Sequence, residues 1–423
     1  MTTTLDTTNT PDLSDAFPTV AWLIRDWAQR TPDRVAMRDK DFGIWQEVTS
    51  STLWDEVLTA AHALLALGVG PTDVTSIHSE DRPEWVIFDF ASVAIRAICT
   101  GMYPTNPMAE VKYLLNDAGS IVHFAEDQEQ IDKIVEAPEG SYPTVRKIVY
   151  VEPRGVRSMT DPRLMFWDEF MDLGRQHRSE NPGAVERLMA EVDPDEVMTL
   201  IYTSGTTGPP KGAMLTHRNI EYGVEQVLNS PDRFQGGQSE DVHDEKLTYL
   251  PLCHVAERLF SSWSMAYNGP VLNFAESIET VQANLREVQP TVFFAVPRIW
   301  ERIHAGVHIK LQDATLLKRL VSGFGLSLAS YIGRARVGND GNFTLASRAA
   351  YWVGYPLFFR SLRERIGLRH CRYASSGAAA IAPEVLEFFM GLGIPVYELY
   401  GMTENTAVAT TNFDGRVKLG TVG

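Results

Sequence analysis

Residues 202–212 read Tyr202-Thr203-Ser204-Gly205-Thr206-Thr207-Gly208-Pro209-Pro210-Lys211-Gly212. The glycines let backbone N–H groups approach an anion closely, Ser and Thr add hydroxyl donors, and Lys211 supplies a positive charge at the far end. This is the chemistry a polyphosphate requires. It is not a Walker A loop, because Pro210 precedes Lys211 and Gly212 follows it where Ser or Thr would bind magnesium. A solvated Gly/Thr hairpin turn is the plainer reading, yet such turns rarely carry so many donors and a terminal Lys.

The flanking residues set the fold class. Strands are predicted at 199–202 and 213–215 on either side of the loop, with a helix over 216–229. Upstream, Leu53, Val57, Ala60, Ala61, Leu64 and Leu67 recur at helical spacing until Gly68 and Gly70. A strand follows at 74–77, Pro83 opens a helix running towards Ile98, and a helix at 109–116 precedes strands at 121–125 and 147–151. Downstream, strands are expected at 248–250, 271–274, 291–295, 372–375 and 396–400, with helices at 255–267, 277–288 and 383–392. This β-α-β rhythm predicts an α/β protein with two helix-covered, mostly parallel sheets. The polar, Pro-containing segment 176–197 is expected to be a hinge, giving lobes of approximately 16–195 and 196–423 behind a disordered tail over 1–15.

Composition narrows the function. The chain has 423 residues with 38 Lys+Arg against 54 Asp+Glu, a formal charge of −16, which makes general nucleic-acid affinity unfavourable. Cys99, Cys253 and Cys371 lie far apart with no C-x-x-C pair, which argues for a reducing compartment and against structural zinc. Residues 1–15 lack the apolar core of an export signal. The longest apolar stretch, 85–103, carries Asp89 and Arg96 and is short for a bilayer span. A soluble, cytoplasmic protein is therefore expected. No G-x-S-x-G or H-E-x-x-H occurs, and His243-Asp244 sits in the polar stretch 230–245, which reads as a solvated loop.

The string 203–212 resembles the phosphate-loop signature of the acyl-adenylate-forming superfamily, Thr-Ser-Gly-Thr-Thr-Gly-x-Pro-Lys-Gly, at every fixed position. A second segment agrees: Tyr397-Glu398-Leu399-Tyr400-Gly401-Met402-Thr403-Glu404 is similar to its Tyr-Gly-x-Thr-Glu motif. The resemblance implies that Thr203, Ser204, Gly205, Thr206, Thr207, Gly208 and Lys211 hold the β- and γ-phosphates of ATP. It assigns Thr403 to the α-phosphate and Glu404 to Mg²⁺, an assignment in keeping with a hard cation's preference for carboxylate oxygen. Ser375-Ser376-Gly377-Ala378-Ala379-Ala380 resembles the loop that packs on adenine, with Ser376, Gly377 and Ala378 in place and Ala380 where Pro is common. A plain tight turn would look the same. Leu250-Pro251-Leu252-Cys253-His254-Val255 resembles the segment whose His, here His254, lies near the acyl carboxylate. Ala256-Glu257-Arg258 and Ala295-Val296-Pro297-Arg298 look like long-chain fatty-acid members, some of which place a gating Trp where Arg258 stands.

The resemblance implies ATP-dependent activation of a long-chain fatty acid to acyl-AMP and then, with CoA, to acyl-CoA. It covers roughly 20–423. The β-barrel portion, the ribose-binding Asp and the C-terminal domain of the family are not matched, which leads to an expectation of impaired catalysis or of a complementing C-terminal fragment. A non-catalytic nucleotide- or acyl-binding remnant, or an acyl-AMP ligase serving a carrier protein, are the alternatives. Segment 298–365 stands out separately, carrying eleven Lys/Arg against four acids. Its Tyr351, Trp352, Tyr355, Phe358 and Phe359 fall between Arg348 and Arg360, which suits an anionic membrane surface. A core-facing aromatic helix with a solvated basic face would read alike.

Overall fold

The computed structural model describes residues 13, 16–203, 208–228, 244–312, 315–413 and 415–423. The described residues form two compact units, one running to Val224 and adding Leu250–Gly269, the other comprising Glu225–Tyr249 and Pro270–Gly423. Where the sequence suggests that the second lobe starts at 196, strands of the first unit's sheet continue past 200. Of the tail, Leu13 is buried and its carbonyl oxygen accepts from Trp22 Nε1 at 3.0 Å; the remainder of 1–15 lies outside the described residues.

In the first unit, β1 (Val35–Asp41) and β2 (Ile44–Thr49) form an antiparallel hairpin. Seven further strands follow: β3 (Val74–His78), β4 (Ile98–Met102), β5 (Val122–Ala125), β6 (Lys147–Tyr150), β7 (Leu164–Phe166), β8 (Val197–Thr203) and β9 (Lys211–Thr216). They make one sheet in the order β7-β6-β5-β3-β4-β8-β9, parallel except for β8–β9. The central strands are almost wholly buried, all of β5 and all of β3 but the half-buried Val74, as a sheet covered by helices on both faces requires. Ser50–Ala66 is one covering helix; Thr49 caps it by accepting from the Thr52 N–H at 3.2 Å.

The helix expected to reach Ile98 ends at Ala94. Arg96 adopts φ 62°, and the Ala97 and Arg96 N–H groups bond back to the Ser92 and Val93 carbonyls at 2.9 and 3.1 Å. That is a Schellman stop built on Arg rather than Gly, which frees 98–102 to form β4. Ion pairs of the Arg96 guanidinium with Glu196 (2.5 Å) and Glu191 (3.1 Å) hold the unusual residue in place. The expected hinge 176–197 instead carries the end of helix Trp167–Glu180 and all of Ala184–Ala190. Its polar residues pair across helices, Arg178 with Asp55 (2.7 Å) and His177 with His62.

Four buried histidines of this unit stay neutral. Burial first, then the neighbouring His177, Arg178 and Arg187, pushes His62 down to about 4. Burial likewise brings His78 and His217 to about 4 and lowers His123 well below its usual value. These folded-state values lie under the unfolded value of about 6.5, so between the two the unfolded chain binds more protons and stability is lost as the pH is lowered. The melting temperature should drop on acidification from pH 7 to pH 5, and His62→Gln should flatten that slope; a melting temperature that is constant or rises over this range would contradict the assignment.

In the second unit, β10 (Glu245–Thr248) pairs in parallel with β11 (Val271–Phe274). The expected strand at 248–250 thus forms three residues earlier, where Pro251, which has no N–H to give, does not interrupt the ladder. β12 (Val292–Ala295), β13 (Tyr373–Ser376) and β14 (Val396–Tyr400) run parallel, and β15 (Thr410–Thr411) closes the edge antiparallel to β14. Trp300 fills the core behind them, with rings T-shaped against Phe293 and Phe389 at 5.2 and 4.8 Å. Ser277 and Thr280 bond to each other's backbone in a turn, so the helix expected from 277 begins at Val281. His243 lies outside the described residues, but Asp244 is buried rather than solvated: it accepts from Arg372 and, at 2.7 Å, from Thr291 Oγ1.

The basic segment contains both buried and exposed side chains. Phe359 is fully buried and stacks with Tyr351. Arg336 and Arg363 are buried, each donating to backbone carbonyls, Arg363 to those of Leu368, Arg369, Cys371 and Gly393. Trp352, Val353 and Leu357 are exposed, the first of them 68% so.

Candidate functional site

Thr203 and Lys211 are register partners at the mouth of the β8–β9 hairpin, and Tyr202 faces Gly212. Of the loop they bracket, Ser204, Gly205, Thr206 and Thr207 lie outside the described residues. Gly208 adopts φ 99°, with no described atom within 4 Å of where a side chain would start. Lys211 is exposed, with no hydrogen-bond or ion-pair partner for its ammonium among the described residues. The hairpin base is braced from helix Met108–Ala118. Tyr113 Oη donates to the Pro210 carbonyl at 3.0 Å, and Tyr202 Oη donates to Asp117 Oδ2 at 2.7 Å. Burial and the Asp117 charge raise the Tyr202 hydroxyl, so it stays a donor. Tyr113 and Asp117 were not singled out from sequence, since nothing local signals a contact spanning 85 to 97 residues.

His254 caps the helix that starts at Val255, its Nδ1 accepting from the Ala256 N–H at 3.1 Å. Burial lowers its pKa, so the ring is neutral, and with Nδ1 accepting, the proton sits on Nε2. Next to it the Leu252 N–H donates to Asp81 Oδ1 at 2.8 Å, and burial plus the Glu257 charge raise the Asp81 carboxyl well above its usual range.

Arg258, set by the resemblance about where some long-chain members place a gating Trp, is fully buried. Its Nη2 meets Asp89 Oδ1 at 2.5 Å and its Nη1 meets Thr199 Oγ1 at 2.6 Å. The guanidinium lies over the Trp85 and Trp263 rings, 5.2 and 5.0 Å from their centroids. A side chain held on four sides is a fixed post. The lone Asp89 in the apolar run 85–103 is the signal that could have announced it.

In the second unit the remaining residues leave the carboxyl ends of neighbouring parallel strands, Ser376 being the register partner of Glu398. Open α/β sheets bind ligands at that edge. Ser375 and Ser376 are buried with no hydrogen-bond partner for either Oγ among the described residues, and Ala378 adopts φ 71°. Beyond Tyr400, a Cβ on Gly401 would lie 1.4 Å from the Ala407 carbonyl oxygen, so only glycine fits. The turn Thr403–Asn405 is pinned by the Met402 N–H donating to Asn405 Oδ1 at 3.1 Å. It buries Thr403 and presents Glu404 to solvent, with no ion pair to the Glu404 carboxylate among the described residues. Glu398, raised by its own burial, accepts from the Gly420 N–H at 3.2 Å and ties the following chain to β14. His254 makes no hydrogen bond to any other candidate residue among those described.

A divalent cation suits this set. Among the described residues no three His, Cys, Asp or Glu side chains could hold a metal by themselves. One unpaired carboxylate is what Mg²⁺ takes when substrate phosphates complete its shell. The orphaned Ser375 and Ser376 hydroxyls likewise suit a polar ligand.

The family model described as AMP-binding enzyme matches residues 24–423. The long-chain-fatty-acid–CoA ligase ACSBG2 of Xenopus laevis is 28% identical over 410 residues, covering 96% of this chain and 54% of that protein. The long-chain-fatty-acid–CoA ligase FadD15 of Mycobacterium bovis is 30% identical over 407 residues, 96% of this chain and 64% of that one. The chain thus spans about half to two thirds of the length of these relatives. The N-terminal domain of FACL13 from Mycobacterium tuberculosis has the same fold, with a TM-score of 0.62 at 17% identity over 94% of this chain and 79% of that one.

Proposed function

The chain belongs to the AMP-binding enzyme family, and from that membership we propose that it activates a long-chain fatty acid with ATP, forming acyl-AMP and then acyl-CoA. The observation that carries this reading is the β8–β9 hairpin, which sets an exposed Lys211, without a partner among the described residues, across from Thr203. The long-chain-fatty-acid–CoA ligases among its relatives support the substrate class.

A carboxylate is a poor electrophile, since its charge repels nucleophiles and its oxygen leaves badly. In the proposed reaction a carboxylate oxygen attacks the α-phosphorus, the bond to the β-phosphate oxygen breaks, and pyrophosphate departs. The thiolate of CoA then attacks the acyl carbon, and AMP leaves. No protein nucleophile is required, so the residues act by positioning and charge stabilisation. Thr203, the run 204–208 and Lys211 hold the β- and γ-phosphates. Thr403 donates to the α-phosphate, and Glu404 holds Mg²⁺, which neutralises phosphate charge when bound. Ser376, Gly377, Ala378, Tyr400 and Gly401 cradle the adenosine. His254, with its proton on Nε2, is placed to donate to the fatty carboxylate.

Among the described residues no helix is long and apolar enough to cross a membrane. The exposed Trp352 and Val353 between Arg348 and Arg360 support peripheral contact with an anionic bilayer. Equal sedimentation with neutral and anionic liposomes at low salt would contradict that contact. The three cysteines are free and buried, in keeping with a reducing, cytoplasmic setting. The reading as a whole is tested by thermal shift with fatty acids of increasing length in Mg·ATP. Stabilisation should climb with each methylene until the acyl pocket is filled, because burial adds about 0.8 kcal/mol per CH₂. Shifts independent of chain length would contradict the substrate class.

A further inference from the structure

The second unit contains a cavity of about 820 Å³ that none of the described candidate site residues lines. It is walled by helices Val281–Val288, Pro297–Gln312 and Leu316–Val337 and by the run from Leu357 to Ile366. Much of its lining is apolar, Val307 and Leu357 among it, and it shares Val321, Leu357 and Phe358 with an adjoining apolar cavity of about 390 Å³. Together they make a groove within or above the ~300–1,000 Å³ typical of small-molecule sites. Leu357 is 64% exposed, so the groove opens to solvent.

Arg286, Lys310 and Arg365 also line the larger cavity, and no carboxylate among the described residues does. Arg286 Nε donates to the Arg365 carbonyl oxygen at 3.0 Å, which draws the two residues together. None of the three has an ion-pair partner among the described residues, although the chain as a whole carries −16. Cations left together beside apolar walls repel one another until an anion joins them, and the walls ask for a hydrocarbon tail. We infer that this groove binds one long-chain carboxylate, with its head on Arg286, Lys310 and Arg365 and its tail along Val307 and Leu357. The inference goes beyond the proposed adenylation: it is a second, non-catalytic acyl site and needs no ATP.

Gly306 supplies a clean test. It lines the cavity from mid-helix, no described atom lies within 4 Å of where its Cβ would be, and a larger residue there also suits the helix. Gly306→Phe should therefore fold while filling the groove. The probe is cis-parinaric acid, a fluorescent C18 carboxylate, titrated without nucleotide below its micelle concentration. The wild-type chain should show a class of sites that Gly306→Phe abolishes and that the Lys310→Glu/Arg365→Glu variant weakens at least tenfold. Parinaryl alcohol should bind that class at least tenfold more weakly than the acid. Shortening saturated competitors should cost about fourfold per methylene. Glu404→Ala should leave this class untouched even if it abolishes pyrophosphate release, which keeps the fate of the groove separate from that of the adenylation reading. Unchanged binding in a folded Gly306→Phe, or equal binding of acid and alcohol, overturns the inference.

Discussion

Glu404→Ala is expected to lower fatty-acid-dependent pyrophosphate release by at least ~10²–10³-fold, the loss that follows removal of one preorganised partner from a charge-developing centre. Its carboxylate is exposed and unpaired among the described residues, so the fold has no use for it that the substitution would disturb. Exposed positions of that kind change stability within about ±0.5 kcal/mol. Activity and melting temperature should therefore separate, the first collapsing while the second holds. Glu404→Asp keeps the charge on a shorter arm and should recover part of the rate at raised Mg²⁺, which a merely structural role for Glu404 would not produce. Unchanged pyrophosphate release from Glu404→Ala would remove the magnesium assignment.

Arg258→Met should destabilise the first unit by about 3–5 kcal/mol, because it strands the Asp89 carboxylate in a fully buried site. The loss includes the Thr199 hydrogen bond and the two tryptophan faces. Arg258→Met/Asp89→Leu removes both charges and should regain most of that loss, since well-packed apolar pairs replace buried ion pairs at little cost. A denaturant midpoint for Arg258→Met that matches wild type would show that the pair is not needed. If the residue were a gate, the substitution would instead alter acyl-chain preference and leave stability alone.

The alternation of strand and helix was legible because periodicity is a local property. The 50–66 helix, β3, β5 and the β8–β9 hairpin all stand within a residue or two of their expected places. The stop at Ala94 was hidden because an arginine took the left-handed position that glycine usually marks, and Glu196, a hundred residues away, holds it there. The polarity of 176–197 was real but served helix-to-helix pairing rather than a hinge. Asp244 was misread for a similar reason: its partners Arg372 and Thr291 are remote in sequence, so a buried carboxylate looked like a solvated one. At the candidate site, the Gly/Ser/Thr/Lys string and the Tyr-Gly-x-Thr-Glu string could be read directly, each being a short run with its own chemistry. The braces could not, since Tyr113, Asp117 and the tautomer of His254 depend on contacts or hydrogen bonds that exist only in the folded chain.

The most direct measurement mixes the protein with Mg·ATP and palmitate and identifies the nucleotide products by mass. Adenylation predicts pyrophosphate together with palmitoyl-AMP or AMP, and none of these without the fatty acid. Release of ADP and orthophosphate, or ATP left intact while the protein is folded and saturated with both ligands, would contradict it.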